Sequence, residues 1–330
     1  MTRGLVSGKF FPLHRGHQLL IETALATVDD LTILVYDSNP SGTYTPMPVE
    51  KRLAWIRDLY PAVENILAIA DPWTDDPLHD TPEYGQRYAD QIAFLGKFDY
   101  VFTSEPGYEA WVQALGAQHI VADATRTLLP ISGSQIRENV YDNRGWIDPS
   151  VYRTLIQKVA FVGSESTGKT TLAQALAGRY ETRWVHEYAR ELWTLQRGGT
   201  FPDHLKMAEN QYRREQAAVL HSRDFLFCDT NAWITKQWSL WSYGTVDARL
   251  DKLVADTSHE YVWFVCDNDI PWVQDEDRMR ELLNGKAERF QDQIVDALDT
   301  DGIDYVVLSG SLEQRMDKVS SLLTTPFPVG

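Results

Sequence analysis

A chain of 330 residues is long enough for about two domains, each able to bury its own core, and 43% hydrophobic with 24% charged residues is the make-up of a folded globular protein. A net charge of -16, from 31 basic and 47 acidic residues, argues against a broad nucleic-acid-binding face, because duplex binding rests on Lys and Arg neutralising phosphates. It leaves room for a local nucleotide cradle, while the lack of long apolar stretches argues against membrane spans and the N-terminus MTRGLVSGKFF lacks a signal-peptide core, so a cytoplasmic protein is expected.

From the N-terminus, LVSGKF, LTILVY, NILAIA, YVFTS and QHIVAD read as strands. Between them HQLLIETALATV, VEKRLAWIRDLY, PEYGQRYADQIAFL and YEAWVQAL repeat apolar residues every three or four positions and read as helices. The alternation predicts a parallel sheet covered by helices, with ligands at the carboxyl ends of the strands. Gly8-Lys9-Phe10-Phe11-Pro12-Leu13-His14-Arg15-Gly16-His17 lies at such an end and runs into the first helix. His14 and His17 share a face of the helix start beside free N–H groups, an anion site, although paired histidines there also serve as plain caps. Gly8, Lys9, Phe10 and Gly16 are expected around the nucleotide, Gly16 allowing close approach. Further on, Ile131-Ser132-Gly133-Ser134-Gln135-Ile136-Arg137 opens another helix; Ser132 or Ser134 can cap it or meet a phosphate, with Arg137 one turn inside.

These two segments resemble the G-x-F-x-P-x-H-x-G-H and I-S-x-[ST]-x-x-R signatures of the nucleotidyltransferase superfamily, with serine at 134 where threonine is commoner. The resemblance implies adenylyl transfer, in which a phosphate on the acceptor attacks the α-phosphorus of ATP in line and pyrophosphate leaves. His14, His17 and Arg137 would position and stabilise the charge, assisted by Mg²⁺.

The stretch from Asp142 to Ser150, DNRGWIDPS, reads as the end of the first domain, giving a nucleotidyltransferase domain over 1–148 and a second domain over 149–330. The second opens on an apolar strand followed by Gly163-Ser164-Glu165-Ser166-Thr167-Gly168-Lys169-Thr170-Thr171, which meets G-x-x-x-x-G-K-[ST] at every fixed position, and then by TLAQALAGRY with helical spacing. That is a phosphate-binding loop. Its N–H groups turn around phosphate oxygens, Lys169 stands by the transferred phosphoryl and the Thr170 hydroxyl can hold Mg²⁺. ETRWVHEYAREL begins with a strand ending near Glu187, DFLFCD, YVWFVCD and DYVVLSG read as further strands, and HLKMAENQYRREQAAVLHSR and NAWITKQWSLWSYG as helices.

Cys228 and Cys266 end apolar runs and read as buried reduced thiols. Asp229 closes DFLFCD as a Walker-B aspartate does, a second Mg²⁺ ligand, though a turn aspartate gives the same pattern. Glu187, Tyr188 and Arg190 follow a strand end where an acceptor's hydroxyls can be held; for Glu187, taking the 5′-hydroxyl proton and binding a ribose diol both stay open. DNDIPWVQDEDRMR reads as a lid, with Arg278 over the phosphates and Trp272 on a flat cationic ring, or else as a solvated charge run.

The module order, GKFFPLHRGH, ISGSQIR, GSESTGKTT, HEYARE and the IPWV lid are together similar to the bifunctional NadR-type family, which joins a nicotinamide-nucleotide adenylyltransferase to a ribosylnicotinamide kinase. The resemblance implies an α/β chain of two parallel sheets, an N-terminal Rossmann-like nucleotidyltransferase and a C-terminal P-loop kinase. It also implies ATP, nicotinamide riboside and nicotinamide mononucleotide (NMN) as substrates, and NAD as product. Some members carry an N-terminal helix-turn-helix that makes them repressors. Here the first strand begins at about Leu5, so no nucleic-acid partner is expected, nor a membrane one; a homo-oligomer is left open. The lid carries Glu276 where the family pattern has glycine. The rival readings are the same modules with another acceptor, and one half serving only as a nucleotide sensor.

Overall fold

The computed structural model describes residues 1–37, 47–71, 81–196, 199–270, 287–325 and 327. The chain divides into two compact units, Met1–Tyr152 and a second from Arg153 onward.

In the first unit the strands are β1 (Arg3–Gly8), β2 (Asp30–Asp37), β3 (Asn65–Ala70), β4 (Tyr100–Thr103) and β5 (Gln118–Val121). They form one parallel sheet in the order β3-β2-β1-β4-β5. Because β1 lies at its centre, Leu5 and Val6 are buried, as a strand covered on both faces requires. The connections are α1 (Arg15–Leu25), α2 (Val49–Leu59), α3 (Pro82–Gln91) and α4 (Glu109–Leu115), followed by the short α5 (Gly133–Glu138) and by α6 (Pro149–Leu155). Tyr84, Tyr88 and Ile92 from α3 and its end, with Trp111 and Val112 of α4, pack on Leu5, Leu34 and Val101 as one core. The strand order reverses between β1 and β4, so the carboxyl ends of those two strands flank the crevice where such sheets take ligands.

The second unit has β6 (Gln157–Val162), β7 (Arg183–Val185), β8 (Phe225–Asp229), β9 (Tyr261–Cys266) and β10 (Tyr305–Leu308), parallel in the order β10-β9-β6-β8-β7. Its helices are α7 (Lys169–Arg179), α8 (Tyr188–Gln196), α9 (Phe201–Ala218), α10 (Ala232–Tyr243), α11 (Ala248–Thr257), α12 (Ala287–Thr300) and α13 (Leu312–Ser320). Leu172, Ala173 and Leu176 of α7 and Met316 and Val319 of α13 close over Val159, Phe161, Phe227 and Phe264. Cys228 and Cys266 are free and buried in their strands. Among the described residues no helix is long and apolar enough to cross a membrane.

Candidate active sites

The first site forms where β1 runs into α1. His14 is the N-cap of α1, and its Nδ1 accepts from the Gly16 N–H at 3.1 Å. That bond leaves the proton of the neutral ring on Nε2, and a Cβ at Gly133, in the first turn of α5, would stand 3.8 Å from that nitrogen. The His17 ring lies 3.8 Å from that of His14, centroid to centroid. Burial lowers His14 to about 4, helped by Arg126 and Arg137, and burial also lowers His17 well below the ordinary histidine value, helped by His14. Both rings are therefore held neutral: His14 offers its Nε2–H rather than charge, while His17 is hydrogen-bonded to the Pro12 backbone and leaves Nδ1 unpaired.

Gly16 also serves its own turn. A Cβ there would meet His14 Cε1 at 2.9 Å, so its hydrogen makes room for the capping imidazole. Phe10 is fully buried, with its ring 4.9 Å from that of His17, and packs on the histidine from the core. Ser132 caps α5 in a capping box with Gln135. Arg137 donates to the Phe11 carbonyl at 2.7 Å and to Ser134 Oγ at 3.0 Å, which joins the two segments singled out in the sequence.

Gly8, Lys9 and His17 open onto a cavity of about 310 Å³, whose other walls include Tyr36, Asp71, Tyr84, Tyr88, Trp111 and the turn after β4, Thr103 to Glu105. Tyr88 donates to the Asp71 carboxyl and Tyr84 to the Tyr88 hydroxyl. Three polar atoms in these walls, His17 Nδ1, Tyr36 OH and Trp111 Nε1, are buried without a partner. Aromatic faces, a buried acid and unpaired polar atoms suit a flat, polar, cationic ring. Sequence reasoning did not single out these residues, because only the fold brings α3, α4 and the ends of β2 and β3 together. It also missed Arg52 of α2, whose buried guanidinium donates to the carbonyls of Met47, Lys9 and Tyr36 and to Asp37. A charge on the apolar face of α2, beside Trp55 and Ile56, was its signal in the sequence.

The second site surrounds the turn from β6 to α7. Gly163 and Gly168 have φ of 143° and 82°, in the left-handed region that favours glycine. Lys169 Nζ donates to the carbonyls of Gly163 and Ser164 at 3.0 and 2.7 Å. The register places Phe161 opposite Asp229, which brings the end of β8 beside the loop. Thr170 Oγ1 donates to Asp229 Oδ2 at 2.5 Å, while Asp229 Oδ1 is buried without a partner. Glu187 lies two residues beyond the end of β7. Burial, then the charge of Asp229, pushes it up to about 7, against the pull of Lys169 and Arg190. Asp229 is raised as well, mainly by burial.

Several loop side chains are bonded within the fold. Ser164 is fully buried; its N–H donates to Gln291 Oε1 at 2.7 Å and its hydroxyl to Asn268 Oδ1 at 2.6 Å. Thr167 Oγ1 is turned back onto the Ser164 carbonyl and Thr171 is exposed, while Glu165 and Ser166 lie at the half-buried bend of the loop. Tyr188 begins α8 with its ring 4.5 Å from the Arg214 guanidinium carbon, and Arg190 is exposed. Trp272 and Arg278 lie outside the described residues.

Comparison with known proteins agrees with this division. The family description "Cytidylyltransferase-like" matches residues 5–139 and "AAA domain" matches 158–315. The trifunctional NAD biosynthesis/regulator protein NadR of Escherichia coli (strain K12) is 28% identical over 325 residues, covering 92% of this chain and 78% of its own. The nicotinamide-nucleotide adenylyltransferase of Methanocorpusculum labreanum is 26% identical over 158 residues, 44% of this chain and 83% of its own. Crystal structures of NadR protein, one in complex with NAD and AMP-PNP and one with NR, align with TM-scores of 0.53 and 0.55 at 23% and 24% identity. Each alignment covers 97% of this chain, and 95% and 94% of those chains. Fold and loops thus define a two-module chain, a nucleotidyltransferase-like sheet followed by a P-loop sheet. Within that class the chain is NadR-like over nearly its whole length.

Proposed function

We propose that the chain is a bifunctional enzyme of NAD salvage: the second unit phosphorylates nicotinamide riboside with ATP, and the first transfers AMP from ATP to the resulting NMN, giving NAD and pyrophosphate. The observation that carries the reading is the cavity beside His17. Its aromatic walls, the Asp71 carboxyl and its unpaired polar atoms match a cationic nicotinamide ring, and Gly8, Lys9 and His17 of the first nucleotidyltransferase segment line it. The names of the relatives, an NAD biosynthesis protein and a nicotinamide-nucleotide adenylyltransferase, support the same acceptor.

In the transferase step an NMN phosphate oxygen attacks the α-phosphorus of ATP and pyrophosphate departs. The attacking oxygen is already an anion, so no base is required and catalysis is positioning and charge stabilisation. His14 Nε2–H and the α5 N-terminus face the phosphates, and Arg137 holds the β1–α1 turn against α5. Lys9 and Arg137 supply positive charge while His14 supplies a neutral donor and His17 packs against its ring.

In the kinase step the riboside 5′-hydroxyl oxygen attacks the γ-phosphorus, its proton passes to the Glu187 carboxylate and ADP leaves. A carboxyl raised to about 7 is matched to that task, whereas Asp229 is already bonded to Thr170. The Thr170 hydroxyl and the unpartnered Asp229 Oδ1 form an oxygen-only donor set that fits Mg²⁺, which when bound neutralises charge on the phosphates. Lys169 stays on its loop carbonyls and turns an N–H of the same ammonium to the transferred phosphoryl.

The test is one reaction with ATP, Mg²⁺ and nicotinamide riboside, in which ADP, pyrophosphate and NAD are followed together. Lys169→Ala should stop the riboside step and spare conversion of supplied NMN, and His17→Ala should do the reverse, each by about 10²-fold or more. Loss of both activities from either substitution in a folded protein would refute the two-site reading, and absence of ADP across a panel of ribosides would refute the kinase half.

A further inference from the structure

Two buried side chains from the last helices grip the backbone of the phosphate loop. Gln291 of α12, 8% exposed, accepts the Ser164 N–H at 2.7 Å and donates Nε2–H to the Cys266 carbonyl at 3.1 Å. Arg315 of α13, 1% exposed, donates Nη1–H to the Thr167 carbonyl at 2.8 Å, Nη2–H to the Asp267 carbonyl at 3.3 Å and Nε–H to the Gly310 carbonyl at 3.1 Å. It also pairs with Asp269. Each side chain therefore ties one peptide of the loop to the carbonyls that end β9. The loop itself lies tight against that strand end, since a Cβ at Gly163 would meet the Cys266 oxygen at 2.7 Å.

We infer that Gln291 and Arg315 are positioning residues for ATP: through two peptide planes they set the direction of Lys169 and of an N–H group that faces the phosphates. In a trans peptide the carbonyl and the N–H of one plane point opposite ways. By holding the Ser164 N–H, Gln291 turns the Gly163 carbonyl to the other side, where it receives Lys169 Nζ at 3.0 Å. By holding the Thr167 carbonyl, Arg315 keeps an oxygen that would repel an anion outside the loop and turns the Gly168 N–H inward. Without these bonds both planes are free to rotate, and the loop reaches its binding shape only by ordering itself around the nucleotide, which weakens binding.

The inference rests on the reading of the second unit as an ATP-using kinase, and the experiment separates the two. AMP-PNP affinity and steady-state constants are measured for the full chain and for Gln291→Met and Arg315→Met, the AMP-PNP binding that survives in Lys169→Ala being assigned to the first unit and subtracted. Loss of one buried hydrogen-bonding side chain that leaves its partners unpaired predicts a Kd for AMP-PNP and a KM for ATP raised about tenfold or more, with the KM for the riboside unchanged. Adenylyl transfer to supplied NMN serves as the control in the same chain. A purely structural role would lower the melting temperature and kcat and leave the KM for ATP and the Kd unmoved; that result overturns the proposal. Should a methionine variant fail to fold, Arg315→Lys decides. It keeps the charge but cannot span the separate carbonyls, so a raised Kd supports the proposal and an unchanged one overturns it. If the wild-type chain binds AMP-PNP and forms no ADP from the riboside, the kinase reading fails, and the affinities still test the cradle.

Discussion

Glu187 is a carboxyl held at about 7 in a pocket it shares with a second acid, Asp229, and with Lys169. As the proton acceptor it works only when ionised, so the kinase kcat should climb with pH through about 7 and level off above it. Glu187→Gln should lower kcat by about 10²-fold or more and remove that limb; a variant with the wild-type profile would place the proton elsewhere. The two histidines are shifted the other way, and the effect of that shift is on stability rather than rate. Their folded values are lowered below the ordinary 6.5, to about 4 for His14, so the unfolded chain takes up protons that the fold refuses. Their stabilising effect is whole above 6.5 and is lost as pH falls towards 4. Chemical unfolding should show the first unit weakening over that window, and a variant with His14→Asn and His17→Gln should show a shallower decline, asparagine keeping the cap. The sequence marked these groups by type and spacing. It did not mark the contacts each makes within the fold: Phe10 packs on His17, Gly16 leaves room for His14, and Ser164 bonds to Gln291 and Asn268 far along the chain.

At the scale of elements, α5 is only six residues long, yet it carries the contact between the two transferase segments. A Cβ at Gly133 would stand 3.1 Å from the Phe11 carbonyl and 3.2 Å from Arg137 Nη1, so one of them must give way. Gly133→Ala should therefore lower kcat/KM of adenylyl transfer by about tenfold and leave riboside phosphorylation unchanged, a comparison that one preparation with both substrates supplies. The strands were the most legible elements, because parallel strands covered on both faces are near-continuous apolar runs. Helices α11, α12 and α13 went unread, although Phe290, Ile294 and Leu298 repeat every four residues along α12 and are all buried. With them went Gln291 and Arg315. A polar residue on a helix reads as solvated until the fold shows the loop it holds, and the cavity of the first unit was hidden for the same reason.

For the whole molecule the prediction is stoichiometric. Nicotinamide riboside should yield one ADP and one pyrophosphate for each NAD, and supplied NMN should yield pyrophosphate and NAD with no ADP. ADP formed with supplied NMN as the acceptor would mean that the P-loop unit acts on something other than the riboside.

The place of β6 has a consequence for the birth of the chain. It is the first strand of its sheet to be synthesised and the middle one in space, and its neighbours β8 and β9 begin only at Phe225 and Tyr261. Until both have left the ribosome, the apolar run Val159–Val162 has no edges to pair with, and a sheet of this kind cannot close stepwise from one side. The first sheet differs, since β1 meets its neighbour β2 after a single helix. On a translating ribosome the first unit should therefore become protease-resistant while the second is still incomplete, and a translational pause before Phe225 should expose β6 to aggregation or to a chaperone.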